Sequence, residues 1–460
     1  MIYVILVLGL MLRLVGLDQS LWLDEAISVK AVRDFDFWGI VNEFARGDFH
    51  PPFYYLTLKG WVSVFGLGEI AVRSLSVLAG VGSIFLVYLI AVRWFNRNVG
   101  LGAALLVATS PLHIYYSQEA RMYMLATFLV VLWVWLWERV VKEGRVRELL
   151  GLMLVGVLIL YTDYLPGFII LVGLTWLFFL DRKSFKAKKW WWVGVGAGLL
   201  FLFLPWILVL RDQLGIGFIA KRDLPGWWQV LGGAGIKQVL LVPVKFVVGR
   251  ISFYNKLFYA VFVVVAMVPF GLGLFNALKK WRETGRFWVW MALPLCLGWL
   301  TSLWLSVFSY FRFLFVLPAF YLLVAVGLSR LKQKWWGLSL TGVALVVNLV
   351  CTGIYFGNPR LNRENWREAV AFMEEESEGK KAAAIFVTRN QRDAFVYYAK
   401  QVESYGPEGI GNDYEKLWLV RYVQPIFDPK DEVRKEIESL GYEKTEEKDF
   451  NGVTIFGYEK

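Results

Sequence analysis

Long stretches of this chain run almost without a polar residue, at intervals that suit a lipid bilayer. Near-continuous apolar runs fall at 1–17, 70–92, 99–116, 122–140, 148–165, 167–180, 190–210, 257–278, 287–305, 310–329 and 335–356. Most approach the ~20 residues that a helix needs to cross a hydrocarbon core. They predict about eleven transmembrane helices, and the run at 167–180 crosses only if untilted or extended by its neighbours. Between the runs the pattern changes. In 18–69, Ile27, Val29 and Val32, then Phe37, Trp38, Val41 and Phe44, recur at helical spacing with charges between them. That pattern predicts short amphipathic helices on the membrane surface. Pro51-Pro52 then sets an extended entry into an interfacial helix over 53–65, and 236–250 is apolar enough for another interfacial or re-entrant helix within 211–256.

From Gly357 the chain turns abruptly charged and polar. Strands are expected near 382–388, 417–423, 443–448 and 453–458, with helices near 364–376, 390–400 and 430–440. The expected fold class is a polytopic α-helical membrane protein with a small C-terminal α/β domain. It divides into a transmembrane domain over 1–356, with interfacial helices in 18–69 and 211–256, and a soluble α/β domain over 357–460, whose default role is structural or acceptor-binding.

Composition agrees: of 460 residues, 57% are apolar and only 19% charged, far from a soluble average. The net charge of +11 is mostly a topology signal. Arg93 and Arg97; Arg139, Lys142, Arg145 and Arg147; Arg182, Lys183, Lys186, Lys188 and Lys189; Lys279, Lys280, Arg282 and Arg286; and Arg330, Lys332 and Lys334 fall in alternate connections. Such connections stay in the cytoplasm, so the N-terminus is expected inside and the C-terminal domain outside the cell membrane, with no nucleic-acid partner. The first run lacks a basic leader and a small-residue cleavage site and reads as a retained span. Cys296 and Cys351 fall in separate spans, so no disulfide is expected. His50 and His113 are the only histidines and suggest no zinc site.

The chemistry-bearing residues gather in the outer connections. Trp22-Leu23-Asp24-Glu25-Ala26 follows the first run and places two acids at the membrane edge, as a helix N-terminus or as a functional pair. His50-Pro51-Pro52-Phe53-Tyr54-Tyr55 lies in the next connection, and Tyr115 to Tyr123 carries Glu119 and Arg121, either an ion pair at a helix end or a used pair. Arg211, Lys221, Arg222, Lys237, Lys245 and Arg250 sit outside against the charge rule, which invites an anionic ligand.

Taken in order, Leu-Trp-Leu-Asp24-Glu25-Ala, His50-Pro-Pro-Phe-Tyr-Tyr, Glu69-Ile-Ala-Val-Arg73, Ser117-Gln-Glu-Ala-Arg-Met-Tyr123 and Ser309-Tyr-Phe-Arg312-Phe resemble the family 39 type glycosyltransferases of the GT-C superfamily. That group includes protein O-mannosyltransferases and is related to the lipid A aminoarabinose transferase. The resemblance implies transfer of a sugar from a polyprenyl-phosphate donor to a protein, lipid or glycan acceptor on the outer face. Inverting transfer needs a carboxylate to take the acceptor's proton, and Asp24 is the candidate. Glu25 either orients the loop or contacts the acceptor, and Glu119 either holds Arg121 or recognises sugar hydroxyls. The leaving phosphate calls for fixed cations: Arg121 and Arg312 first, with His50, Lys221 and Arg222 behind them. His50 could equally cap the Pro-Pro turn. Tyr54, Tyr123 and Asp163 are candidate sugar or acceptor contacts. Asp163 departs from the His often found in similar sequences and could instead be accidental surface charge. Asp18, Asp34, Asp36 and Asp48 read as solvated. Acids at one surface could hold Mg2+ or Mn2+, but the similar branches work without one, so no metal or cofactor is expected. A transporter or flippase of lipid-linked saccharides would favour mid-bilayer acids and repeated halves, and a scaffold for surface-polymer assembly would not need Asp24, Arg121 and Arg312 together.

Overall fold

A computed structural model of the chain describes residues 1–223, 226, 232–411 and 413–460, so 224–225 and 227–231 of the expected interfacial stretch lie outside the described residues. Each of the eleven apolar runs is helical. Among the described residues five helices are long and apolar enough to cross a membrane: Glu69–Trp94, Met122–Lys142, Lys189–Arg222, Lys256–Lys279 and Lys334–Gly357. Arg97–Thr109 and Pro111–Ser117 add a sixth if counted as one broken span bent by 60°. The break has a local cause: the Ser110 hydroxyl accepts from the His113 amide and Pro111 supplies no amide of its own, so a new helix starts there. Ile2–Leu14, Leu165–Leu180 and Leu314–Ser329 are apolar but shorter. One helix is longer than the sequence suggests. Lys189–Asp223 runs for 35 residues, about 52 Å, because apolar Leu214, Ile216, Phe218 and Ile219 continue the pattern past 210.

Close crossings depend on small residues, as is usual between membrane helices. At Gly327 a Cβ would collide with the Gly273 carbonyl, and at Gly273 it would lie 2.9 Å from the Val324 carbonyl. The five basic connections converge on one end of the bundle. Arg93 pairs with Glu138 at 2.8 Å, Arg286 pairs with Asp181 at 3.3 Å and lies 3.9 Å from the Trp94 ring centre, and Arg330 pairs with Glu283 at 2.6 Å. The other end carries the connections with the candidate chemistry.

The tail forms a five-stranded sheet from β1 (Ala382–Phe386), β2 (Glu403–Tyr405), β3 (Lys416–Val420), β4 (Glu443–Asp449) and β5 (Thr454–Glu459), in the order β2-β1-β3-β5-β4. β1 runs parallel to β2 and β3, while β5 is antiparallel to β3 and β4. Period-two alternation builds two cores. Ala384, Phe386 and Trp418 face the Trp366–Glu376 helix, and Ala383, Ile385, Leu417 and Leu419 face Val433 and Ile437 of Glu432–Ser439. The sequence missed β2, whose three residues Glu-Ser-Tyr are too few and too polar to signal a strand.

The tail docks on the end of the bundle that carries the candidate chemistry. The Leu23–Asp34 helix, expected to lie on lipid, is clamped between the two: Ala26 joins the tail core with Trp366 and Phe395, and Lys30 pairs with Asp393 at 2.8 Å. Arg367 pairs with Glu69 at 2.7 Å, and the Tyr398 hydroxyl donates to Glu69 at 3.0 Å. The expected helix at 53–65 forms as Phe53–Phe65.

Gly327→Val forces the helices Leu317–Ser329 and Lys256–Lys279 apart and should cost about 3 kcal/mol or more through overpacking. Thermal unfolding in detergent checks this, with Gly342→Ala, where a Cβ meets nothing within 4 Å, near wild type.

Candidate active site

Trp22, Asp24 and Glu25 open the Leu23–Asp34 helix, and the two carboxylates diverge there. Glu25 at the third helical position reaches back to the Trp22 amide at 3.4 Å, an N-terminal cap. It is also completely buried, accepting from Arg73 Nε at 2.8 Å, Arg73 Nη2 at 2.5 Å and the Ala120 amide at 2.8 Å, with Arg363 Nε 3.4 Å away. Burial pushes its pKa up, but Arg73 and Arg363 prevail and hold it below the usual carboxylate range. A side chain so enclosed cannot touch an acceptor, so of its two expected roles Glu25 keeps only the orienting one. Arg73 spends its remaining donors on the carbonyls of Leu17, Gln19 and Ser20, at 2.9, 2.5 and 2.9 Å.

Asp24 is half-buried and lies within electrostatic reach of Arg121, Tyr123, Glu364 and Tyr422. Arg121, the cap residue of Met122–Lys142, donates from Nη1 to the Asp24 carbonyl at 3.2 Å and to the Ser28 hydroxyl at 3.3 Å. Its buried Nε has no partner, and no carboxylate among the described residues pairs with it. The expected alternative of a Glu119–Arg121 ion pair is therefore absent. Glu119 lies instead 3.5 Å from Arg363 Nη2, and its buried Oε2 accepts no hydrogen bond. Burial, only partly opposed by Arg363, raises the Glu119 carboxyl to about 7. The Tyr54 hydroxyl, buried without a partner, feels both Arg121 and Glu119.

The other candidates surround this pair. His50 Nδ1 lies 3.4 Å from Asp48, which also accepts from the Tyr55 hydroxyl at 2.5 Å. Asp48 is thus not solvated, a correction to the sequence reading. Burial raises its pKa, while His50, Arg121 and Tyr55 lower it further, so that it stays charged. Asp34 pairs with Arg33 and Asp36 caps the Gly39 amide, both local surface roles. Asp163 is buried, and burial raises its carboxyl against the pull of nearby His50 and Arg312; accidental surface charge is thereby excluded. Arg312 is half-buried beside Asp163 and Tyr123. Lys221 and Arg222 are exposed at the end of their long helix, where Lys221 donates to the Trp304 carbonyl at 2.7 Å.

Two further arginines complete it: Arg250, one of the cations that sit against the charge rule, and Arg363, which no motif signals. Arg250 packs 4.5 Å from the Tyr115 ring centre, donates to the Tyr115 hydroxyl and faces Glu119. Arg363, from the tail, bonds the Gln118 carbonyl at 2.7 Å and leaves Nη1 buried without a partner. Among the described residues no three His, Cys, Asp or Glu side chains are placed to hold a metal. The arrangement presents one half-exposed carboxylate, one carboxyl titrating near neutrality and several under-neutralised guanidinium groups, the equipment for handling an anion beside a proton transfer.

Residues 49–208 match the family model of dolichyl-phosphate-mannose-protein mannosyltransferases. A candidate mannosyltransferase, YkcB of Bacillus subtilis, is 27% identical over 139 residues, 30% of this chain and only 19% of that protein. In structure the chain is similar to the crystal structure of ArnT from Cupriavidus metallidurans bound to undecaprenyl phosphate, with a TM-score of 0.59 at 12% identity over 99% of this chain and 97% of that one. It is also similar to the oligosaccharyltransferase AglB of Archaeoglobus fulgidus in complex with an inhibitory peptide and a dolichol-phosphate, with a TM-score of 0.56 at 12% identity over 99% and 74%.

Arg73→Met should cost about 3–5 kcal/mol by stranding buried Glu25, read as a fall in Tm, while Arg33→Met on the surface stays near wild type. Glu119, with its folded pKa raised from 4.5 to about 7, binds more protons in the folded state, so its contribution is present below about 4.5 and is lost as pH rises through about 7. Glu119→Gln should flatten the pH dependence of Tm over that window, and an unchanged slope would contradict the assignment. The chain is thus similar over 49–208 to the dolichyl-phosphate-mannose-protein mannosyltransferase family, and it shares the fold of the ArnT and AglB structures.

Proposed function

We propose that the protein transfers a sugar from a polyprenyl-phosphate carrier to an acceptor hydroxyl at the outer face of the cell membrane. The observation that carries the proposal is the buried Arg121 guanidinium, held against the backbone of Asp24 with its Nε unpartnered and, among the described residues, no carboxylate in direct ion-pair contact. A desolvated cation costs free energy unless an anion completes it, and a carrier phosphate would do so while its prenyl tail stayed in lipid. Two solved GT-C proteins of this fold hold undecaprenyl phosphate and dolichol-phosphate, which supports the same donor class here.

In this reading the Asp24 carboxylate takes the acceptor's proton as its oxygen bonds the anomeric carbon. The bond from that carbon to the phosphate oxygen breaks with inversion, its electron pair leaving with the phosphate. Arg121 and Arg312 stabilise the charge that develops. His50, kept in place by Asp48, lies beside them. Glu119, Tyr54, Tyr123 and Asp163 offer donors and acceptors for sugar hydroxyls. The convergence of the five basic connections at the opposite end supports a cytoplasmic N-terminus and an extracytoplasmic tail.

Asp24→Asn keeps shape but removes the proton acceptor, and should lower turnover by ~10²-fold or more with donor affinity little changed. Arg312→Ala and Arg121→Ala should each weaken donor binding by about 2 kcal/mol, and Arg312→Lys should recover part of it. Unchanged affinity in all three folded variants would remove the phosphate clamp. For topology, Lys186→Cys should resist impermeant thiol reagents in intact cells and Lys430→Cys should react; the reverse pattern would overturn the orientation.

A further inference from the structure

At the end of the bundle away from the site, a groove of about 690 Å³ opens between the end of Lys256–Lys279, the connection after Ser329 and the start of Lys334–Gly357. Lys279, Lys280, Arg330 and Lys332 line it. Glu283 neutralises Arg330 at 2.6 Å, but among the described residues no carboxylate pairs with Lys279, Lys280 or Lys332. The Lys279 ammonium turns instead onto the Phe275 ring, 4.2 Å from its centre. Below these cations the same groove is apolar: Leu272 and Trp336 line it and remain 41% and 49% exposed on the helix faces turned to lipid.

A basic end alone reports topology. A recess that joins unpaired ammonium groups to an exposed apolar wall has the two-part chemistry of a phospholipid, an anionic head above acyl chains. We propose that this groove binds an anionic phospholipid of the leaflet opposite the active site. Lys280 and Lys332 meet the phosphate and headgroup, and an acyl chain lies along Leu272 and Trp336. The lipid would fill the space between the helix that ends at Lys279 and the one that begins at Lys334.

The test is native mass spectrometry of the detergent-solubilised protein titrated with phosphatidylglycerol and with phosphatidylcholine of the same acyl chains. Wild type should retain phosphatidylglycerol about tenfold better or more, as expected for two basic side chains beside an anionic head. Lys280→Gln together with Lys332→Gln, both exposed and so compatible with folding, should remove the preference, while Arg312→Ala at the outer site should leave it intact. Equal retention of the two lipids by wild type, or a preference that survives the double substitution, would overturn the proposal. So would displacement of phosphatidylglycerol by equimolar undecaprenyl phosphate, which would make the occupant a carrier lipid.

Discussion

The Arg73 guanidinium divides its donors between buried Glu25 and the carbonyls of Leu17, Gln19 and Ser20, and the end of the molecule that carries the site is organised around it. Neither charge could lie where it does alone, since an unpaired buried ion is far costlier than a paired one. Together they tie the start of the second span to the loop after the first helix. Glu25 then accepts from the Ala120 amide, which fixes the turn carrying Glu119 and Arg121. Asp24, next in sequence to Glu25, points about 100° away around the helix, within reach of Arg121 and Tyr123. A carboxylate that serves structure and one that remains available for chemistry are thus separated by a single residue.

The tail is part of the same arrangement. Arg363 reaches from the linker before the sheet to Glu25, Glu119 and the Gln118 carbonyl, and Tyr422 and Glu364 lie near Asp24. Ala26, on the exposed side of the first outer helix, is covered by the tail's own core. The polar outer cluster is therefore closed from both sides, by spans below and by the α/β unit above. That enclosure explains the raised carboxyls of Glu119 and Asp163: each has lost water, and the surrounding cations only partly compensate.

Much of this was legible in the sequence because membrane helices and strands declare themselves by period. Every apolar run contains helix, the 53–65 helix lies where expected, and the strands of the tail core follow their alternation. Asp24, Arg121, Tyr123, Tyr54, His50, Asp163 and Arg312 come together as the motif order suggested. What the sequence could not supply is partner choice across long separations. Glu25 and Asp24 are both acids in one turn, and only the approach of Arg73, 48 residues away, distinguishes them. Asp48 reads as solvated until His50 and Tyr55 fold onto it, and Arg363 belongs to a stretch with no motif at all. Five or six helices meet the length of a full span because several apolar runs are short or broken at a proline, which composition windows do not resolve.

The most direct measurement is an experimental structure of the protein with a polyprenyl phosphate bound. The account predicts its phosphate within about 4 Å of the Arg121 guanidinium, facing Asp24 and near Arg312, with the prenyl chain leaving toward lipid. A phosphate seated elsewhere, with Arg121 still unpartnered beside Asp24, would contradict it.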